Sequence, residues 1–186
     1  MQEDNRYLLA GIGAIRRLRD FFDIVTLLSV YFALFQPHFD YCCEVWDVFG
    51  LCQVKRLQKL HNRSARVLNN MSNEVSLVVA LNSLGWETLE AQRKKNKAKL
   101  MFKVLNNLGP QSLTDLFTNK RDITNYNLRE VSYSLQLPQP RTNNLKTSFS
   151  YDGAIIWNSL PAKIRECDSL LELKRNVDAH SFSVLV

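Results

Sequence analysis

The sequence predicts a mainly α protein: a helical bundle over residues 1–110, then a loop-rich C-terminal extension over 111–186 with short helices and at most a small β-hairpin. Three observations carry this. Val54 to Leu68 (VKRLQKLHNRSARVL) and Thr88 to Leu108 (TLEAQRKKNKAKLMFKVLNNL) each repeat apolar residues at the helical period, with charges on the other side. Helix stops fall between the periodic segments, at Pro37, Gly50, Gly85 and Gly109-Pro110. From Thr118 to Thr147 the chain turns polar, with Pro138, Pro140 and many asparagines.

Taken in order, a first helix is expected over Arg6 to Phe22, interrupted at Gly11-Ile12-Gly13. That glycine pair is half of a nucleotide-binding loop, but no strand precedes it and the third glycine is missing. Asp23 is placed to cap an apolar helix from Ile24 to Phe35, which Gln36-Pro37-His38 breaks. Phe39 to Phe49 reads as a further helix closed by Gly50, with Phe39, Cys42, Cys43 and Trp46 on one face. His38 has two readings, a ligand for phosphate or metal and, more commonly for such a histidine, a helix cap without chemistry. After the Val54–Leu68 helix, Asn69 to Asn73 is a polar turn. Ser72 or Asn73 is expected to cap a short helix through Leu84, ended by Gly85. Thr88 starts the long helix to Leu108.

Beyond Pro110, Ser112 to Phe117 makes a short helix. Ser132 to Leu137 (SYSLQL) alternates as a strand would, with Leu145 to Tyr151 (LKTSFSY) as its expected partner. Gly153 to Ser159 is read as helical, broken by Pro161. Ser169, three residues before Glu172, forms a capping box for a last helix from Leu170 to Ala179. The total is about six to eight helices. The expected core includes Leu27, Phe32, Phe39, Trp46, Leu57, Leu60, Leu84, Trp86, Leu100, Val104 and Trp157, and Phe21, Phe22 and Phe35 are expected to be exposed.

Composition sets the function classes. The net charge of +6 favours an anionic partner, nucleic acid before membrane. The apolar run from Ile24 to Phe35 is too short to span a bilayer. Cys42, Cys43, Cys52 and Cys167 show no repeated spacing, and MQEDNR opens no secretory signal, so reduced thiols and an intracellular location, nucleus or cytoplasm, are expected. A zinc site from Cys42, Cys43, Cys52 and His61 has neither a CxxC nor an HxxxH pair behind it; no metal and no cofactor are expected. His38, His61 and His180 are too scattered to nominate a base, and no P-loop is present.

The strongest site signal is a stripe. Lys55, Arg56, Lys59, Arg63 and Arg66 fall within an arc of roughly 100° on the Val54–Leu68 helix. No acid relieves their mutual repulsion at helical spacing. A solvated helix face is the plain explanation; a helix turned towards phosphate is the functional one. Arg16, Arg17 and Arg19 add a second basic cluster. In the Thr88–Leu108 helix, Lys95, Lys99 and Lys103 repeat every four residues opposite an apolar band of Leu100, Met101, Val104, Leu105 and Leu108, and are read as a second nucleic-acid-binding face, which an acidic groove on a protein partner would explain too.

Several blocks, in order, resemble the C-terminal part of reverse transcriptases from non-LTR retrotransposons, the jockey-like and related LINE class. They are PHFDYCCEVW (Pro37 to Trp46), RLQKLHNRSARV (Arg56 to Val67), LGWETLEAQRKKNKAKLMFKVLN (Leu84 to Asn106), YNLR (Tyr126 to Arg129), LPQPRTNNLKTSFSYDGAIIWNSLP (Leu137 to Pro161) and SLLELKRNV near the end. The resemblance implies that residues 1–110 are a thumb-like region and 111–186 the C-terminal extension. It also implies that Lys55, Arg56, Lys59, Arg63 and Arg66 face a nucleic-acid backbone, with RNA or an RNA–DNA duplex as partner and the remaining polymerase portion as another. The parent polymerase uses Mg²⁺ held by carboxylates. The family's adjacent palm aspartates have no counterpart, since no Asp-Asp pair occurs anywhere in the sequence. The expectation is therefore a truncated, non-enzymatic, nucleic-acid-binding fragment. Two alternatives stand beside it: a helical module docking an acidic protein, and a decayed element copy without function.

Overall fold

The computed structural model describes residues 2–41, 43–44, 51–72, 74–120 and 133–182. It is mainly helical, and no strand occurs among the described residues. The helices are α1 (Gln2–Leu18), α2 (Ile24–Leu34), α3 (Gln36–Asp40), α4 (Leu51–Leu68), α5 (Leu77–Asn82), α6 (Leu89–Leu105), α7 (Gln111–Thr114), α8 (Asn143–Lys146), α9 (Phe149–Ser159), α10 (Ala162–Arg165) and α11 (Leu170–Ala179). The eleven among the described residues exceed the expected six to eight because α3, α7, α8 and α10 are about a single turn each. The chain forms two compact units, Met1–Leu89 and Glu90–Val186, so the divide falls in the first turn of α6 rather than after Pro110.

In the first unit, α1 packs along α4 and α2 along α3. Leu8, Ile12 and Ile15 sit one helical turn apart and are buried with Leu27, Tyr31, Phe35, Phe39, Leu60, Leu68 and Leu89. Contrary to the sequence reading, α1 runs unbroken through Gly11 and Gly13. A β-carbon on Gly11 would lie 2.5 Å from the Phe35 ring. The glycine is therefore a seat for that ring. Phe35 in turn stacks on Tyr31 at 5.6 Å with planes 5° apart. This is why Phe35, expected outside, is buried, while Phe32, expected inside, is half exposed. Phe21 and Phe22 are exposed as expected. Pro37 does not merely end α2: it lies in the first turn of α3, where its missing N–H costs nothing. α3 stops at Asp40, with Tyr41 extended. Of the rest of the expected Phe39–Phe49 helix, Cys42 and residues 45–49, Trp46 included, lie outside the described residues, as does Tyr126 to Arg129.

Three helices end alike. Asn70, Gly85 and Asn107 each take positive φ, at 55°, 65° and 56°. The next residue then donates back five positions: Met71 to the Arg66 carbonyl (2.9 Å), Trp86 to Leu81 (2.9 Å) and Leu108 to Lys103 (2.8 Å). Asn107 thus stops α6 at Leu105, before Gly109-Pro110, and leaves Leu108 exposed rather than in the apolar band. Ser76, not Ser72 or Asn73, stands at the start of α5.

In the second unit, Ala98, Met101 and Phe102 of α6 meet Ala154, Ile156 and Trp157 of α9 and Leu173 and Val177 of α11. Ser169 caps α11 by accepting from the Glu172 amide at 3.2 Å, as its spacing predicts. The expected hairpin is not formed. Leu145 to Tyr151 lies in α8 and α9 instead. Leu135 makes a single antiparallel bridge with Asn119. Its own amide and carbonyl are taken by the side chain of Asn158, at 2.8 and 2.9 Å. With those groups satisfied by one asparagine, no second strand is needed.

Candidate nucleic-acid interface

The helical period of α4 decides which side chains reach solvent. Leu60, His61, Ser64, Ala65 and Leu68 turn into the first unit, with Leu57 partly buried beside them. Lys55, Arg56, Lys59 and Arg63 are exposed, and among the described residues none of them meets an acid. Arg66 is half-buried. Its Nη2 donates to the Val75 carbonyl at 3.2 Å, which ties the end of α4 to the loop before α5.

The far end of this stripe forms one wall of a cleft of about 880 Å³. Lys59, Arg63 and Arg66 stand on α4, at i, i+4 and i+7; Arg16 and Arg19 come from the end of α1. Asn62, Asn70 and Ser72 add polar groups, and no acid lines the cleft among the described residues. The Nε atoms of Arg19 and Arg66 are buried with no hydrogen-bond acceptor. Asp20 lies 3.7 Å from Arg19 Nε and is largely solvated. The side chains that converge on this hollow are cationic, a chemistry that suits negatively charged oxygens.

Sequence reasoning noted the Arg16–Arg19 cluster but did not place it with the stripe. The tertiary packing of α1 on α4 brings the two together, and only three of the five stripe residues join them in the cleft. Lys55 and Arg56 stay exposed on α4, away from the cleft lining.

The second stripe is not a surface. Lys95 is only 7% exposed, and its ammonium donates to the Asp178 carbonyl at 2.7 Å, capping the C-terminal end of α11. Lys99 pairs with the Asp178 carboxylate at 2.6 Å. Lys97 is 1% exposed and pairs with Asp152 of α9. Lys103 is half-buried on the same helix. Lys95 and Lys99 thus tie α6 to α11, and for these two lysines the expected nucleic-acid contact is corrected to a structural one.

His61 belongs to the core. It stacks on Trp86 at 5.1 Å and uses both ring nitrogens within the first unit, on Tyr31 and on the Glu87 carbonyl. Cys43 is buried and Cys52 exposed. No group of three or more metal-binding side chains occurs among the described residues, and no described helix is long and apolar enough to cross a membrane.

Compared with protein-family models, with curated proteins and with solved structures, the chain finds no match in any of the three.

Proposed function

We propose that this chain holds nucleic acid by its phosphate backbone, as the thumb and C-terminal extension of a non-LTR retrotransposon reverse transcriptase. The observation that carries the binding function is the cleft where Arg16 and Arg19 face Lys59, Arg63 and Arg66, with no acid in its lining among the described residues. Like charges so placed repel one another and weaken the fold slightly; a polyanion relieves that repulsion and releases its own counterions. The family part of the reading rests on the sequence blocks from Pro37 to the final SLLELKRNV. RNA or an RNA–DNA duplex is the partner that the family would supply. In this reading the chain positions a strand and does not join nucleotides, because the sequence contains no adjacent aspartates to hold a metal pair.

The test is a salt titration of duplex binding. Backbone-dominated affinity falls linearly in log salt, by about 0.9 per phosphate contact on duplex DNA. Binding that ignores salt, or binding to an acidic polypeptide with none to RNA or duplex, refutes the reading.

A further inference from the structure

A second hollow, of about 370 Å³, adjoins the basic cleft and shares Arg19 and Asn70 with it. Its chemistry differs. Phe22 and Ile24 stand at its wall, and Leu27 and Leu68 belong to the core beneath. Phe22 is 49% exposed, and its neighbour Phe21 is 82% exposed. Exposed phenyl rings are unfavourable in water unless a partner covers them. The polar groups here are few and fixed. Asn69 spends both amide hydrogens on the Ala65 and Ala80 carbonyls, at 3.0 and 2.8 Å, which leaves its side-chain oxygen as an acceptor. Asp20, absent from the cleft lining, lines this hollow.

We propose that this hollow receives an unstacked base, and that the protein therefore binds a strand with an unpaired segment in preference to a fully paired duplex. The two concavities match the two halves of a nucleotide. The cleft, cationic and without acids, suits phosphates. The hollow offers an aromatic face, an aliphatic floor and acceptors, and so suits a flat heterocycle with polar edges. A carboxylate such as Asp20 would repel a phosphate but accepts from a base amino group. Arg19, common to both, sits where the sugar–phosphate link of such a nucleotide would pass. A base that remains paired in a duplex cannot enter a hollow of this kind; an overhanging one can. This inference rests on the nucleic-acid reading above and adds to it the form of the strand.

The experiment measures fluorescence anisotropy with the full chain and three end-labelled probes. They are a blunt RNA duplex, the same duplex with a single-stranded overhang, and that overhang made of abasic residues. The overhang should bind at least about fivefold more tightly than the blunt duplex, the lower end of one base–aromatic stack. The abasic overhang should lose that gain, since it keeps the phosphates and lacks the bases. Phe22→Ala should bring the overhang-to-blunt ratio to one, and Phe22→Trp should preserve it. Phe22 is half exposed, so circular dichroism of both variants should match that of the parent chain. Equal affinity for the intact and abasic overhangs overturns this proposal and leaves backbone binding standing. No binding to any probe at low salt overturns both.

Discussion

The Tyr31 hydroxyl lies 3.1 Å from His61 Nδ1, and the other ring nitrogen, Nε2, lies 3.0 Å from the Glu87 carbonyl. A carbonyl only accepts, so Nε2 carries the proton and Nδ1 accepts from Tyr31. Burial pushes the Tyr31 hydroxyl up, helped by the charge of Asp40, so it remains a donor. The trio joins α2, α4 and the turn before α6 in one satisfied network inside an aromatic cluster.

This arrangement predicts a pH dependence. Burial lowers the His61 pKa from its ordinary 6.5, outweighing the Glu87 contact, which raises it. The unfolded chain therefore binds this proton more readily than the folded one as pH falls through and below 6.5. The His61 contribution to stability should be constant above about pH 6.5, decline as pH drops below 6.5, and level off once His61 is charged in the fold as well. Thermal melts of the parent chain and His61→Gln at several pH values check this. The variant should lose about 1–3 kcal/mol near neutrality and show a shallower decline in acid.

Gly11 and Gly13 should respond oppositely to the same substitution. Alanine favours a helix interior over glycine by about 1 kcal/mol. At Gly13 nothing lies within 4 Å of the added carbon, so Gly13→Ala should raise stability by about that amount or less. At Gly11 the carbon would meet the Phe35 ring, which Tyr31 backs from the other side. Gly11→Ala should cost about 1–3 kcal/mol of overpacking, a net loss. Denaturant melts of the two variants decide it; equal signs would refute the packing argument.

The basic residues should separate into binders and braces. Lys59→Gln and Arg63→Gln should each lower the salt slope of duplex binding by about one. Lys55→Gln, outside the cleft lining, should change it less. Lys99→Gln should leave it unchanged. Lys95→Met orphans the Asp178 carbonyl and should cost about 1–3 kcal/mol of stability without altering the salt slope.

The Lys97–Asp152 pair should be asymmetric. Lys97 is almost fully buried and Asp152 only partly so. Asp152→Ala takes the carboxylate from a buried ammonium and should be the more costly of the two changes. Lys97→Met removes the charge itself and lets Asp152 return to water, so its cost should be smaller. Comparing the two melting midpoints tests the ordering.

Much of the helical plan was legible residue by residue. The stripe on α4, the Ser169 cap, the stop at Gly85 and the buried Trp157 follow from local rules, because a helix face and a helix end depend on residues within a turn or two. The same locality explains the errors. Phe32 and Phe35 are one turn apart with the same side chain, and the room for Phe35 in the core is left by Gly11, far away in sequence. Ser132 to Leu137 alternates as a strand does, but whether a strand forms depends on what meets it, and here Asn119 and the Asn158 side chain do.

The two lysine-bearing helices show the division most clearly. Sequence by itself determined that α4 and α6 are helices and that each carries a row of positive side chains. Tertiary structure decided what each row meets: α1 brings Arg16 and Arg19 to the first, while α11 offers the second a carbonyl and a carboxylate. Periodicity fixes the direction in which a side chain leaves its helix. The group waiting there comes from a segment distant in sequence, brought near only by packing.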